Sequence, residues 1–236
     1  MIRCGATLLA ATLATPALGA PPYATDDAGV LAPGEFEAIP YLDAVFASGP
    51  DSGETGLDAN IGVFPKVQLG LTVPVHRFEA GRDRLSLGDV ALNAKIALVE
   101  STGELAVAFG PSLMLPTGSG GREKAGFSLP LWGTVPVGDW SIHAGGGFRL
   151  AARQDGGDLP FGGIVAERPI AENVSLGAEL YGEGKGAGGA TMIMAGPGLA
   201  WALSGRFTLV AAGHAILTNR QENGHFHIYT ALIVTP

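Results

Sequence analysis

Along most of this chain apolar and polar residues alternate with a period of two, the mark of strands with one apolar and one polar face. The clearest run is 139–153. Trp140, Ile142, Ala144, Gly146, Phe148, Leu150 and Ala152 alternate there with Ser141, His143, Gly145, Gly147, Arg149, Ala151 and Arg153. A helix would scatter both sets around its circumference. Residues 66–75 repeat the rule, with Val67, Leu69, Leu71, Val73 and Val75 against Lys66, Gln68, Gly70, Thr72 and Pro74. So do residues 89–98 (Val90, Leu92, Ala94, Ile96, Leu98) and 174–183 (Val174, Leu176, Ala178, Leu180). No segment carries a convincing 3.6-residue period with helix caps.

Marking turn-forming residues between such runs predicts twelve strands, near 34–47, 55–63, 66–76, 87–99, 104–116, 126–137, 139–153, 160–169, 173–184, 190–203, 206–218 and 225–235. Their lengths suit the roughly 9–11 residues that a tilted strand needs to cross a bilayer. The connections alternate in kind. Short ones fall at 64–65, 100–103, 138, 170–172 and 204–205, and longer glycine-rich ones at 48–54, 77–86, 117–125, 154–159, 186–189 and 219–224. Tight periplasmic turns and longer outside loops give outer-membrane barrels this asymmetry. The even strand count puts both barrel ends on the periplasmic side. Two strands fit the pattern less well. Glu167 interrupts the apolar face of 160–169, and 190–203 is apolar on both faces through Met192, Met194 and Trp201.

A soluble sandwich or lipocalin-like barrel also alternates, but it turns a charge-rich face to water. Here the polar face is mostly Gly, Ala, Ser and Thr, and only 15% of residues are charged, against about 25% in a soluble domain. Glycine accounts for 37 of 236 residues. The expected fold is therefore an all-β, transmembrane, antiparallel up-and-down barrel of about 12 strands over residues 34–236.

The first twenty residues, with Arg3 ahead of an apolar stretch and Ala20 at its end, have the form of a secretory signal peptide cleaved near Ala20. Cys4 is the one cysteine, and it lies in that leader. Disulfide scaffolds, thiolate metal sites and cysteine nucleophiles are thereby excluded from the mature chain. Without Arg3 the chain has 13 basic and 22 acidic residues, a formal charge of −9, and no basic stripe. That argues against nucleic acid as a partner. Outer-membrane lipids and the barrel assembly machinery are the expected partners. The final residues, Ile233-Val234-Thr235-Pro236, lack the terminal aromatic common in such barrels, although Phe226, Ile228 and Tyr229 stand in the last strand.

The segment Tyr23-Ala24-Thr25-Asp26-Asp27-Ala28-Gly29-Val30, followed by Pro33-Gly34-Glu35-Phe36-Glu37, resembles the opening of a family of outer-membrane barrels named after the meta-pathway of phenol degradation. Gly88-Asp89 with Lys95, and Pro111 through Leu115-Pro116-Thr117-Gly118, extend the resemblance over most of the mature chain. It implies a barrel that passes small, often hydrophobic compounds, and it names no cargo.

An inward face built from the polar positions would carry Glu35, Glu37, Asp43, Asp58 and Asn60, then Lys66, Gln68, Asp89, Asn93, Lys95 and Glu104. Later strands add Ser128, His143, Arg149, Glu179, Tyr181, Glu183, His214, His225 and His227. A charge at the lipid midplane costs about 2–4 kcal/mol, so these side chains belong in a lumen. Acidic groups outnumber basic ones, which predicts a preference for cations or neutral solutes over anions. Twelve strands enclose a narrow conduit rather than a general-diffusion pore. Residues 21–33, with Thr25, Asp26 and Asp27, form either a periplasmic turn or a plug folded into that conduit.

Other chemistry is weaker. His225 and His227 share a face, a spacing open to metal, but no third ligand can be placed beside them. Ser141 and His143 form the kind of pair a lipid-acting enzyme would use, yet no nucleophile elbow accompanies them. The glycines after Thr117 lack the Gly-Lys-Ser/Thr and helix of a phosphate loop. No catalytic residue, metal or cofactor is expected. The sequence thus points to a passive channel for small solutes, open to hydrophobic or aromatic ones. A non-conducting structural or surface-binding barrel is the alternative, with an outer-membrane lipid-acting enzyme behind it.

Overall fold

The computed structural model describes residues 22–47, 51–79, 87–100, 103–118, 124–150, 158–184, 191–220 and 224–236. The leader expected at 1–20 and part of each long connection lie outside the described residues. Thirteen strand segments follow the N-terminal stretch: β1 (Phe36–Phe46), β2 (Ser52–Phe64), β3 (Val67–Glu79), β4 (Ala91–Val99), β5 (Ala106–Phe109), β6 (Ser112–Met114) and β7 (Gly126–Val137). The second half holds β8 (Trp140–Leu150), β9 (Leu159–Ala171), β10 (Val174–Glu183), β11 (Met192–Ala202), β12 (Phe207–Ile216) and β13 (Phe226–Val234).

Except for β5 with β6, each strand pairs antiparallel with the next, and β1 pairs with β13 through Tyr41↔Ala231 and Phe46↔Phe226, so the sheet closes on itself. Segments β5 and β6 are two halves of one stave, both lying between β4 and β7. The result is the expected twelve-stave barrel. The expected continuous strand at 104–116 is interrupted at Gly110-Pro111. Proline has no N–H to give to the ladder, and its carbonyl accepts Ala94 N–H at 2.9 Å instead.

Turns at the short end are tight because left-handed residues close them: Lys66 has φ 70° and Gly138 φ 61°. Outward positions are large and apolar, with Leu131 51%, Ile164 48% and Leu180 49% exposed. In water such a surface would aggregate; in hydrocarbon it is the correct solvent-facing face. Aromatic residues ring both edges of it. Phe36, Phe64, Trp140, Trp201 and Phe207 face outward at the short-turn end, and Phe46, Phe127, Phe148 and Phe226 at the other. On β8 the eight-residue step from Trp140 to Phe148 spans about 26 Å along the strand. Strand tilt brings that to roughly 20 Å, close to the height of an outer-membrane apolar band.

Both irregular strands have a structural reason. In β9 the side chains of Phe161, Val165 and Glu167 point inward, and Ile164 points to lipid. The face read as apolar and interrupted is the lumen face, on which Glu167 meets His143 at 3.2 Å. In β11 Met192 and Met194 pack inside, Met194 against Trp132, Phe161, Tyr181 and Ile216, while Trp201 belongs to the outer girdle.

Candidate functional site

Residues 22–35 precede β1 and turn back into the barrel, crossing from the β1–β3 wall to the β10–β11 wall as an internal strap. At its C-terminal end Gly34 N–H donates to Gly62 O at 2.8 Å. Leu31 N–H donates to Gln68 Oε1 at 3.0 Å. Further along, Lys95 Nζ lies 2.9 Å from Asp26 Oδ1 and 3.1 Å from Asp27 Oδ1. Ala28 N–H donates to Thr134 Oγ1 at 3.0 Å. At the far wall Thr25 N–H and Ala24 N–H donate to Glu179 at 2.6 and 3.2 Å. Thr25 is fully buried and Ala28 4% exposed. Asp27 Oδ1 also accepts Gly29 N–H at 2.5 Å, an Asx-type turn that bends the strap locally.

Wall glycines make room for the strap. A side chain at Gly198 would stand 2.6 Å from the Tyr23 hydroxyl oxygen, and Gly177 borders the same ring. Burial, with Glu167 and Glu179 adding, pushes the Tyr23 hydroxyl well above the ordinary phenol range. Burial works to raise the Asp27 carboxyl too. Lys95, followed by His143 and the Gly29 N–H, outweighs it and holds that carboxyl below the ordinary range.

Beside the strap runs a lumen cavity of about 760 Å³, from Glu35 and Gln68 near the short-turn end to Val45, Glu183 and Met192 near the other. One wall is polar: Glu37, Asp43, Asp58, Asn60, Thr72, Asn93 and Lys95 from β1–β4. The opposite wall is largely apolar: Trp132, Met192, Met194, Val210, Ile216 and Ile233 from β7 and β11–β13. Polar groups pair along the wall, Asn60 with Glu37 and Asn93 with Thr72, each at 3.0 Å. On the apolar side Arg149 pairs with Glu183, contacts Tyr181 OH at 3.1 Å, and covers the Phe161 ring at 4.7 Å.

The structure brings together most of the side chains assigned to the lumen from sequence, in two layers. Glu35, Glu37, Asp43, Asp58, Asn60, Gln68, Asn93, Lys95, Arg149, Tyr181, Glu183 and His227 line the cavity. His143, Glu179 and His214 lie deeper in the interior, 5%, 3% and 1% exposed. Four others sit outside the strands, three of them Lys66, Glu104 and Asp89. Lys66 occupies a tight turn and pairs with Glu100 at 3.0 Å, both half exposed. Glu104 is exposed in the β4–β5 connection. Asp89 accepts Gly118 N–H at 2.9 Å beside a long connection. All three lie beyond strand ends, where side-chain alternation no longer fixes a face. His225 also precedes its strand, half buried, with its backbone N–H on Phe46 O.

The other candidate pairs find different partners. His143 contacts Thr134 Oγ1 at 3.0 Å and Glu167 at 3.2 Å, which uses both ring nitrogens and leaves none for Ser141. His227 is held by Asp43 at 3.1 Å and His214 at 3.2 Å rather than by His225. Among the described residues no group of three or more His, Cys, Asp or Glu could hold a metal ion. The segment after Gly118 lies outside the described residues. Sequence reasoning missed Thr134, Gly177 and Gly198. The signal for the two glycines was their lumen-facing place in strands, since glycine inside a strand marks a close approach.

A closed antiparallel sheet with an apolar exterior, aromatic edges and a polar interior defines a transmembrane β-barrel. The model of the family described as "Putative MetA-pathway of phenol degradation" matches residues 37–227, and the chain belongs to that family. No curated protein is recognisably similar in sequence. Among solved structures the fold is similar to the COG4313 outer membrane channel from Pseudomonas putida F1, with TM-score 0.68, 14% identity, and coverage of 89% of this chain and 98% of that one. It is also similar to the KdgM porin (TM-score 0.59, 12% identity, 84% and 98% covered) and the NanC porin (0.59, 10%, 84% and 99%).

Proposed function

We propose that the protein is a passive outer-membrane channel for small solutes, narrowed by its own N-terminal strap. The observation that carries this reading is the cavity of about 760 Å³ lying inside a closed barrel beside that strap. Its two walls favour solutes with a polar or cationic edge and an apolar or aromatic body. Lys95 is matched by Asp26 and Asp27, and Arg149 by Glu183. Glu35, Glu37, Asp43 and Asp58 remain as the acidic surplus on the polar wall, which disfavours anions. The apolar wall offers hydrophobic contact without demanding a particular shape. In this reading the short turns and both chain ends face the periplasm, the girdles sit at the lipid interfaces, and the assembly machinery inserts the barrel.

The test is single-channel conductance in a planar bilayer across a salt gradient, comparing the mature chain with one lacking residues 21–33. Small cation-selective steps that grow on truncation are the expected result. Unchanged conductance on truncation overturns the narrowing role of the strap. Silence from both forms, with insertion verified by heat-modifiable gel migration, overturns the channel itself and favours a non-conducting structural barrel.

A further inference from the structure

Gly177 and Gly198 stand opposite each other on β10 and β11, with Glu167 beside Gly177 on β9 and Ala212 beside Gly198 on β12. Between Glu167 and the Ala212 methyl this inward row carries no side chain. The Tyr23 phenol fills the space. A Cβ at Gly198 would lie 2.5 Å from its Cζ and 2.6 Å from its hydroxyl oxygen, closer than side-chain carbons pack, and one at Gly177 would strike the same oxygen. The ring therefore requires glycine at both positions. It is the hydroxyl end that the pair receives.

The occupant of this slot is not part of the wall. Tyr23 belongs to the strap and borders the lumen cavity together with Pro22 and Ala24. A solute in the cavity meets the ring at its open side, and the slot can change occupant without any strand moving. Its chemistry selects what enters. The floor is glycine backbone held by the β10–β11 ladder, and Glu167 and Glu179 place negative charge beside the hydroxyl end. A neutral phenol turns the positive end of its O–H toward those carboxylates. A bare ring has nothing to offer them, and an aromatic carboxylate is repelled.

We propose that the Gly177–Gly198 slot is a binding site for a neutral phenol ring, occupied by Tyr23 at rest, and that a phenolic solute in the lumen takes the place of Tyr23 and loosens the strap. The inference rests on reading the strap as the element that narrows the channel. Tyr23 adjoins Ala24 and Thr25, whose N–H groups sit on Glu179, so a ring that leaves the slot pulls at that seat. No covalent bond changes in the exchange; one ring replaces another. Its tether holds Tyr23 at an effective concentration on the order of mM against a free competitor, which sets the range in which exchange occurs.

The experiment adds 4-methylphenol, the tyrosine side chain without its backbone, to the mature chain in a planar bilayer, with toluene and 4-methylbenzoate as comparisons. 4-Methylphenol is expected to raise conductance toward that of the chain lacking residues 21–33, with a half-maximal effect at about 1 mM. Toluene should be about tenfold less effective, the factor that one hydrogen-bonding group supports, and 4-methylbenzoate should have no effect. The truncated chain has no Tyr23 to displace, so its conductance should not rise; an equal rise there assigns the effect to the bilayer and overturns the proposal. No response from the full chain, with the truncated chain still more conductive, overturns the displacement and leaves the strap reading intact. Truncation without effect overturns the strap reading and, with it, the gating.

Binding tests the slot separately. In detergent, calorimetry should show Tyr23→Ala binding 4-methylphenol about tenfold more tightly than wild type, because a half-buried ring no longer competes. Adding Gly198→Val to Tyr23→Ala should abolish that binding. Equal binding by all three proteins overturns the site.

Discussion

The strap is held at its two sides by different kinds of contact. At β4, Lys95 meets Asp26 and Asp27 across lumen space, with side chains 11%, 37% and 20% exposed. At β10, Glu179 takes two backbone N–H groups and faces His214 in a contact with no exposure at all. The first is a charge pair that ions in the lumen can screen. In the second, Glu179, His214 and Thr25 are buried away from water, so removing one strands the others. The strap's position therefore depends more on the buried end than on the visible salt bridge.

Breaking the buried end should have the largest effect. Glu179→Leu leaves two strap N–H groups and His214 without their acceptor, a loss of about 3 kcal/mol in seating. Conductance should approach that of the chain lacking residues 21–33, and a value equal to wild type would contradict the comparison. Next comes Gly198→Val, which fills the space occupied by the Tyr23 ring; crowding of that kind costs about 2 kcal/mol. It removes no charge, so its increase in conductance should be insensitive to salt.

Lys95→Met should free the strap by about 1 kcal/mol, the size expected of a partly exposed ion pair. High salt should reproduce that effect in the wild type and add nothing to the variant. The smallest change comes from acid acting on Asp27. Its carboxyl is held below the ordinary range, so its share of seating is present at neutral pH and lost as pH falls through that depressed value. In the Lys95→Met background this acid response should shrink, as conductance titrated below about pH 4 would show.

Much of the barrel wall was legible in the sequence, because the face of a strand residue is decided by its immediate neighbours. Trp140 through Leu150 is the plain case: alternate side chains point to lipid and to the lumen as the pattern requires. Alternation does not identify an inward face that is itself apolar. Phe161 and Val165 looked lipid-facing, and only their packing against residues of other strands shows otherwise. Nor does it reach past strand ends, as with Lys66, Glu104 and Asp89, where no ladder fixes the side chain's direction.

The strap was harder to read, for a physical reason. Thr25, Asp26 and Asp27 stood out as small and polar, equally suited to a turn or a plug. Their partners lie far away in sequence: Lys95 is 69 residues from Asp26, and Glu179 is 154 from Thr25. Local propensity carries no information over that distance.

The period of two and the alternation of short and long connections are written in the chain, and a closed membrane barrel of twelve staves follows from them, since lipid accepts no unpaired sheet edge. Which polar side chains meet depends on barrel closure and strand register. Closing β1 onto β13 sets Asp43 beside His227, and the register of β12 against β13 sets His214 opposite His227. Such contacts come from the register of whole strands around a ring, which no single stretch of chain encodes.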